Sequence, residues 1–300
     1  MSGFSPRALI RGARRAMARL PSLHMGRVPD APALPVRDPW PGNADLGARL
    51  LRGELVFGGA VRPLTPGRWQ EISGSTLMRA TAHGFTWLRD LRALGSDSAR
   101  LRARQLVSEW MAAPPTDAIA YRPDVTGARI TAWLGHYDFF AATADDAFRQ
   151  RLMGRLVADA RGLSAALPAE EIDARALTAL KGLIAAAVAL PEHVGFMTRA
   201  LRFLPQEILR QVLPDGCHAE RSPAAQLAAL QDLTEIRALL QAGQTQPPAA
   251  LSNAIERMAP ALRVMRHGDG GLALFNGSRE ETGTLIDLVL TQAGDRKSVV

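Results

Sequence analysis

A short stretch between two predicted helices carries three polar side chains that can titrate or bind a ligand. Residues 213–223 read Leu-Pro-Asp-Gly-Cys-His-Ala-Glu-Arg-Ser-Pro, which places His218, Glu220 and Arg221 within four positions. A histidine in such a connection can titrate near neutrality and act as a general base. Glu220 can orient the imidazole or pair with Arg221, and Arg221 can bind a carboxylate or sulfate. The stretch predicts proton transfer on an acidic substrate; the alternative is that these side chains only decorate a helix start.

The neighbouring residues predict how this stretch is held. Asp215-Gly216 after a proline favours a chain reversal, because glycine tolerates positive φ and aspartate bonds its own backbone. Ser222 is a good N-cap, and Pro223 suits the first helical position, where a missing N–H costs nothing. We therefore expect the polar residues on a turn between two helices, where functional residues concentrate.

Three sequence motifs occur in order along the chain. Residues 83–91 and 122–125 form the first, residues 215–223 the second, and residues 263–276, RVMRHGDGGLALFN, the third. Together they resemble the heparinase II/III family of polysaccharide lyases, and the similarity extends from about residue 36 to about residue 293. The resemblance implies an α/α toroid that packs against a β-sandwich domain. It also implies cleavage of a uronate-containing polysaccharide by β-elimination.

The chain departs from this family where catalysis would occur. Many members continue the Ser-Pro segment with a tyrosine that transfers the proton and a histidine, but here the positions hold Ala225 and Gln226. The two tyrosines of the chain, Tyr121 and Tyr137, lie elsewhere. The Asn-His pair that neutralises the substrate carboxylate has no clear counterpart in the corresponding apolar helix, residues 178–190. The resemblance therefore predicts a lyase of an acidic polysaccharide, although we expect little or no turnover by this 300-residue chain. The alternative is a non-catalytic glycan-binding or cell-envelope-associated protein that retained the toroid fold.

The residue types and the resemblance together define a set of predicted site residues. β-Elimination requires neutralisation of the carboxylate, a base for the proton and an acid for the glycosidic oxygen. The predicted catalytic residues are His218 and Glu220, and the predicted substrate-binding residues are Arg221, Arg122, Arg129, Trp87, Arg89 and His267. The alternative for each is a structural role in a helix cap, an ion pair or the core. Trp110 and Trp133 lie on apolar helix faces and are predicted to be core residues.

Composition and charge limit the partners that fit the chain. Its 300 residues are 47% hydrophobic, enough for a substantial core. The net charge of +7 suits an acidic partner, although an arginine-rich composition with a solvated surface is the alternative. We expect an acidic polysaccharide or oligosaccharide as partner and no nucleic acid, because no nucleic-acid motif accompanies the charge. No metal or other cofactor is expected, since the six histidines are scattered and no phosphate loop is present.

Cysteine content and hydropathy bear on the compartment. Cys217 is the only cysteine, so no intrachain disulfide can form. No apolar run reaches the roughly 18 residues of a membrane span, and the basic N-terminal stretch lacks the apolar run of a secretory signal. The sequence predicts a cytoplasmic location, with the periplasm or cell envelope as the alternative that the family implies.

The chain divides into three predicted parts. Residues 1–35 are a basic segment and a proline-rich connector; the former predicts a short amphipathic helix that docks on the domain or lies on an anionic membrane surface. Residues 36–294 are the predicted toroid domain. Residues 295–300, Asp-Arg-Lys-Ser-Val-Val, match the translation of a common sequencing-adapter end, so we expect an artefactual tail on a cut gene. The β-sandwich domain, the expected intramolecular partner, would then be missing.

Hydrophobic periodicity predicts antiparallel helical hairpins along the domain. Residues 54–62 are predicted to form a β-hairpin, because Gly-Gly fits a two-residue turn. Residues 130–140 show i, i+3, i+4, i+7 spacing. Further helices are predicted at 43–52, 147–167, 173–190, 193–213, 223–242, 248–267 and 282–293. We expect Pro205 to kink or restart its helix, Gly268 to cap a helix, and residues 272–275 to form a strand. The predicted fold class is mainly α, an incomplete α/α toroid with a small β-hairpin near the N-terminus.

Overall fold

A computed structural model describes residues 28–64, 67, 69–168 and 175–294, and these ranges contain twelve α-helices and one two-stranded sheet. The helices are α1 (Ala44–Leu51), α2 (Thr76–Gly84), α3 (Leu88–Leu94), α4 (Asp97–Ala112), α5 (Pro123–Gly135), α6 (Tyr137–Phe140), α7 (Asp146–Ala166), α8 (Arg175–Ala189), α9 (Gly195–Gln211), α10 (Pro223–Ala242), α11 (Ala249–Val264) and α12 (Gly283–Gln292). The strands are β1 (Glu54–Phe57) and β2 (Ala60–Pro63). The amphipathic helix predicted within residues 1–27 and the tail at 295–300 lie outside the described residues.

Side-chain caps fix the start of several helices. Asn43, Ser75, Ser96, Asp145 and Thr282 each accept a hydrogen bond from a backbone N–H two or three residues further on. Such caps satisfy N–H groups that have no partner inside the helix. These local signals explain why the helix starts follow the sequence closely.

The centre of the fold is built from α5, α8 and α10. Helix α8 packs against α5, α7, α9 and α10, and it is buried along nearly its whole length because its sequence is almost entirely apolar. The backbones of α5 and α8 come close at two glycines. A Cβ atom on Gly182 would lie 2.3 Å from the Cα of Gly127. No side chain fits between the two helices at this level, so glycine is required.

The β-hairpin forms as predicted. Strands β1 and β2 pair antiparallel, with Glu54 opposite Pro63 and Phe57 opposite Ala60. Gly58 and Gly59, which connect the strands, have φ values of 55° and 76°. Positive φ at both turn residues gives the tight turn that matches the twist of the strands. The predicted mainly helical fold with one small hairpin is confirmed.

An extended segment, residues 33–41, crosses the helices, and we call it the strap. It has no helical or strand structure, and it contains three prolines, which favour extended backbone. At its start the N–H of Ala33 donates to the carbonyl of Ala189 at 2.9 Å. Its side chains Val36 and Trp40 are buried. The strap therefore joins the end of α8 to the interior of the domain.

Two predictions of where helices restart or end are wrong. Helix α9 does not restart at Pro205, which lies inside one continuous helix. Its neighbours Leu204 and Ile208 are buried, so packing of this helix outweighs the hydrogen bond that proline loses. Gly268 does not cap the preceding helix, because α11 ends at Val264 and Met265 is its C-cap.

The strand predicted at residues 272–275 is also wrong. Residues 272–275 form no strand; Leu272 makes only an isolated bridge with Arg266, on either side of a turn that the His267 N–H closes on Gly271. The periodic stretch 130–140 is helical as its spacing indicates, but it lies in two helices, since α5 ends at Gly135 and α6 is a separate short helix. In the described part of the chain, no helix combines the length and apolar character needed to cross a membrane.

Candidate functional site

A polar cleft lies among the central helices, beside the strap. Its volume is about 180 Å³. Side chains spaced three or four residues apart on three helices face it, because such residues share one side of a helix. The lining residues are Asp38 and Trp40 from the strap, Thr86 and Arg89 around the start of α3, Ala128, Thr131 and Ala132 from α5, Thr178 and Lys181 from α8, and Ala228, Gln231, Asp232 and Glu235 from α10.

Lys181 is the central charge of this cleft. Its Nζ lies 2.7 Å from Asp232 Oδ1 and 2.9 Å from Glu235 Oε1. Thr178 Oγ1 donates to the other oxygen of Asp232 at 2.6 Å. Burial would lower the pKa of Lys181, but the two carboxylates outweigh it and raise the pKa above its ordinary value. Lys181 is therefore held as a cation and is fully engaged by protein carboxylates.

At Glu235 the effect of burial on the pKa outweighs the effect of the neighbouring charge, which is the reverse of Lys181. Burial raises its pKa, and the charge of Lys181 opposes that rise only in part. Its Oε1 accepts from Lys181 and from the indole Nε1 of Trp40, at 2.9 and 2.5 Å. Among the described residues, none donates a hydrogen bond to Oε2. Of the two carboxylates around Lys181, Glu235 is the one with unused hydrogen-bonding capacity.

The strap is anchored at Asp38. Asp38 Oδ2 lies 3.0 Å from Arg89 Nη2 and 3.1 Å from His136 Nε2, and Arg92 donates to the backbone carbonyls of Asp38 and Trp40. Burial alone would raise the pKa of Asp38, but His136 and Arg89 outweigh it and hold the pKa well below its usual range. Burial lowers the pKa of His136 more than Asp38 raises it, so this imidazole is neutral at pH 7.

A second cavity, of about 450 Å³, lies along the same strap. It shares Thr131 and Glu235 with the cleft, and its other walls come from the strap, from α10 and from Gln292 of α12.

Within the described ranges, no group of three or more His, Cys, Asp or Glu side chains is arranged to hold a metal ion.

His218, predicted as a catalytic base on an accessible turn, is buried, with 1% of its surface exposed. Its Nε2 lies 3.1 Å from Gln211 Oε1, and its Nδ1 accepts from the backbone N–H of Glu220 at 3.1 Å. Burial lowers the pKa of His218, and Glu220 opposes this only weakly. Both ring nitrogens are thus used to hold the end of α9 against the turn.

Arg221 and Glu220 lie beside His218 but are exposed. Arg221 Nη1 is 2.5 Å from Asp215 Oδ2, so its charge is directed back onto its own turn. Asn276 Nδ2 donates to the Arg221 carbonyl at 2.7 Å. The predicted turn at Gly216 and the helix start at Pro223 are confirmed. The N–H of Ala224 is capped by the Ser278 hydroxyl rather than by that of Ser222, which sits at the N-cap.

The other predicted residues are scattered. Arg129 is fully buried and bonds Asp159 Oδ2 through Nε at 2.9 Å, and Arg122 forms a two-point ion pair with Asp124. His267 is exposed on the turn after α11. None of these three lines the cleft.

Trp87 is buried, with 3% of its surface exposed, and lines neither the cleft nor the second cavity. Its Nε1 donates to the Ala82 carbonyl at 3.1 Å, and its ring lies 5.1 Å from Phe85 and 6.5 Å from Trp69. The predicted core residues Trp110 and Trp133 belong to the same aromatic group and are confirmed. Trp87, predicted to bind substrate, is therefore part of the core.

Of the predicted site residues, the structure places Arg89 alone in the cleft and keeps His218, Glu220 and Arg221 together on their turn. Sequence reasoning missed Lys181, Asp232 and Glu235. A signal was present, since Lys181 is the one charged residue in the apolar run 176–190. A charge in such a run must be paired if it is buried.

Comparison with known proteins relates this arrangement to one family. Residues 106–294 match the family described as Heparinase II/III N-terminus. FtsZ-localized protein C of Caulobacter vibrioides is 33% identical over 243 residues, which are 80% of this chain and 42% of that protein. The chain thus spans less than half the length of this relative.

Solved structures share the fold at low sequence identity. A crystal structure of heparinase III aligns with a TM-score of 0.70 and 14% identity over 96% of this chain and 49% of that one. Heparan sulfate lyase HepC from Pedobacter heparinus aligns with a TM-score of 0.58 and 17% identity over 89% of this chain and 45% of that one. These similarities confirm the predicted incomplete α/α toroid.

Proposed function

Because the chain belongs to the heparinase II/III family, we propose that its toroid binds a polysaccharide in the cleft around Lys181 and does not itself cleave it. The cleft carries this proposal: it combines hydroxyl, amide and charged side chains from three helices in one concave site. A few convergent polar groups in a concave site are typical of ligand binding. The small side chains Ala128, Ala132 and Ala228 leave space for a sugar ring.

The missing catalytic groups support binding without turnover. The position of the family tyrosine is Ala225, and neither Tyr121 nor Tyr137 lines the cleft. His218 uses both ring nitrogens inside the protein. Removal of the proton next to a uronate carboxylate needs a base within hydrogen-bond reach, and each charged side chain of the cleft is engaged in an ion pair.

A second candidate function is cleavage of an acidic, uronate-containing polysaccharide by β-elimination, with a β-sandwich domain completing the site. The likeness to heparinase III and to a heparan sulfate lyase favours it. FtsZ-localized protein C, in contrast, is named for a location rather than for an enzymatic activity. That name favours the binding function for a toroid of this type.

Calorimetry and absorbance on the same samples test the proposal. The 300-residue chain is titrated with unsulfated chondroitin oligosaccharides, which contain both acidic and uncharged sugar units. We expect weak binding and no growth of the near-ultraviolet absorbance of a 4,5-unsaturated uronate. Gln231→Ala should weaken binding roughly two- to tenfold, the effect of one hydrogen bond. Gln206→Ala, an exposed glutamine on α9, is the matched control.

The two outcomes that contradict the proposal are distinct. Steady absorbance growth would establish the lyase function instead. Equal affinity of Gln231→Ala and the wild type would place the binding site outside the cleft.

A further inference from the structure

The ionisable side chains of the cleft leave it without spare positive charge. Asp38, Asp232 and Glu235 supply three carboxylates, and Lys181 and Arg89 supply two cations. The formal charge of the lining is therefore −1. A uronate entering the cleft would meet more carboxylates than cations, and like charges at short distance in a partly buried site repel strongly.

Both cations are already held by protein carboxylates. Lys181 contacts Asp232 and Glu235 at 2.7 and 2.9 Å. Arg89 contacts Asp38 at 3.0 Å. Two further carboxyl groups lie within the field of Arg89, because its charge opposes the rise in pKa that burial causes at Asp90 and Glu281. A ligand carboxylate would have to displace one of these carboxylates, which would leave a buried charge unpaired.

The hydrogen-bonding groups that remain are neutral donors and acceptors, with one carboxylate oxygen. Within the described residues, the Thr86 hydroxyl and the Gln231 amide make no hydrogen bond to the protein, and both side chains are half-buried in the lining. Glu235, 6% exposed, adds its unoccupied Oε2. A hydroxyl, an amide and an acceptor oxygen match the hydroxyl groups of a sugar.

The size of the cleft limits what it can hold. Its volume of about 180 Å³ is below the ~300–1,000 Å³ of sites for drug-sized ligands. Ala128, Ala132 and Ala228 provide small apolar surfaces beside the polar groups. The cleft thus suits a single sugar ring, with its C–H face on the alanines and its hydroxyls on the polar side.

We propose that the cleft accepts an uncharged, hydroxyl-bearing sugar unit of its polysaccharide and disfavours a uronate. This inference rests on the proposed binding function and names the class of unit that occupies the site. Any acidic units of the same polysaccharide lie outside the cleft.

One pair of probes differs only at the carboxyl groups, which are charged in one probe and neutral in the other. An unsulfated chondroitin tetrasaccharide is compared with the same tetrasaccharide after reduction of its carboxyl groups to hydroxymethyl groups. Titration calorimetry on the wild-type chain should give at least tenfold tighter binding of the reduced, uncharged probe. The indole N–H signal of Trp40, assigned through Trp40→Phe, should shift on binding, since this indole borders the cleft.

Variants test whether the cleft carboxylates cause this preference. Asp232→Asn combined with Glu235→Gln removes two negative charges and should improve binding of the acidic probe at least tenfold. Glu256→Gln combined with Asp138→Asn makes the same charge change at exposed positions and serves as control. Gln231→Glu leaves the ion pairs of Lys181 intact and adds a negative charge to the cleft. It should therefore weaken binding of the acidic probe further, whereas Gln206→Glu should not.

The possible outcomes separate the inference about the sugar unit from the proposed binding function. Equal or tighter binding of the acidic probe to the wild type, with a Trp40 shift, overturns the inference and leaves the binding function in place. Binding of neither probe overturns both. An unchanged preference in Gln231→Glu also overturns the inference, even if the double variant does not fold.

Discussion

Trp40 Nε1 donates a hydrogen bond of 2.5 Å to Glu235 Oε1, which joins the strap to α10 across 195 residues of sequence. Both side chains are buried. The same carboxylate oxygen accepts from Lys181 on α8. One carboxylate therefore links the strap to two central helices, and the wall of the cleft depends on the strap staying in place.

Replacing Trp40 by phenylalanine tests this link. The variant keeps most of the apolar ring but removes the N–H, so the buried Glu235 loses one of its two donors. Because hydrogen bonds to charged groups are stronger than neutral ones, we expect a loss of about 1–3 kcal/mol in the free energy of unfolding. Urea denaturation followed by circular dichroism measures it. Leu34→Ala, at a 40% exposed strap position, should change stability little; an equal effect of the two would contradict the role of the bond.

The close approach of α5 and α8 gives a second prediction. A Cβ on Gly127 would lie 2.5 Å from the Thr178 carbonyl oxygen, and one on Gly182 would lie 2.3 Å from the backbone of Gly127. Backbone atoms cannot move aside as a flexible side chain can. Gly127→Ala and Gly182→Ala should each lower the free energy of unfolding by about 1–3 kcal/mol or more. They should also weaken ligand binding, because Ala128 and Lys181 follow and precede these glycines in the cleft.

The matched control for this prediction is Gly154→Ala. Gly154 lies within α7, and no atom lies within 4 Å of a Cβ placed there. Alanine should stabilise the helix at this position by roughly 0.5–1 kcal/mol. Thermal unfolding of the three variants should thus show shifts of opposite sign. A destabilising effect of Gly154→Ala equal to the others would show that the contact between α5 and α8 is not the cause.

His83 predicts a pH dependence of stability. Burial, aided by the nearby charge of Arg129, lowers the pKa of His83 to about 4, and its Nδ1 accepts from Trp110 Nε1 at 3.3 Å. In the unfolded chain a histidine titrates near pH 6.5, so between about pH 6.5 and 4 the unfolded state binds more protons. The contribution of His83 to the free energy of unfolding is fully present above pH 6.5 and is lost as the pH falls towards 4. The slope is about 1.4 kcal/mol per pH unit.

Urea denaturation at several pH values between 5 and 7 checks this prediction. His83→Gln keeps an acceptor for Trp110 but cannot titrate, so its stability should fall less than that of the wild type as the pH is lowered. Asn253→Gln, at an exposed position on α11, controls for a general effect of substitution. Parallel curves for wild type and His83→Gln would refute the assignment.

Much of the helical fold could be predicted from the sequence because its signals are local. Pro223 begins α10, and the apolar pattern ends that helix at Ala242, as predicted. The turn at Gly216 also follows from Asp-Gly chemistry. Where packing competes with a local signal, as at Pro205 inside α9, the prediction fails.

The cleft could not be predicted because its charged residues come from distant parts of the chain. Lys181 and Glu235 are 54 residues apart, and local sequence patterns do not report which helices become neighbours. Arg129 illustrates the converse. Its charge suggested a ligand contact, but Asp159, 30 residues away, pairs with it in the core. An arginine in a sequence does not reveal whether its partner is a ligand or the protein.

His218 and Arg221 are three residues apart, but their substitution should have different consequences. His218 joins Gln211 to the Glu220 backbone in a buried position. Arg221, in contrast, is exposed and forms its ion pair with Asp215 on its own turn. His218→Ala removes two hydrogen bonds made by a buried side chain, so we expect a loss of about 1–3 kcal/mol in the free energy of unfolding. Arg221→Ala should leave the urea midpoint unchanged, since exposed ion pairs contribute little. His218→Gln, which retains hydrogen-bonding groups, should recover part of the loss. If folded His218→Ala instead keeps full stability and loses only oligosaccharide affinity, His218 contacts the ligand and the structural role assigned to it is wrong.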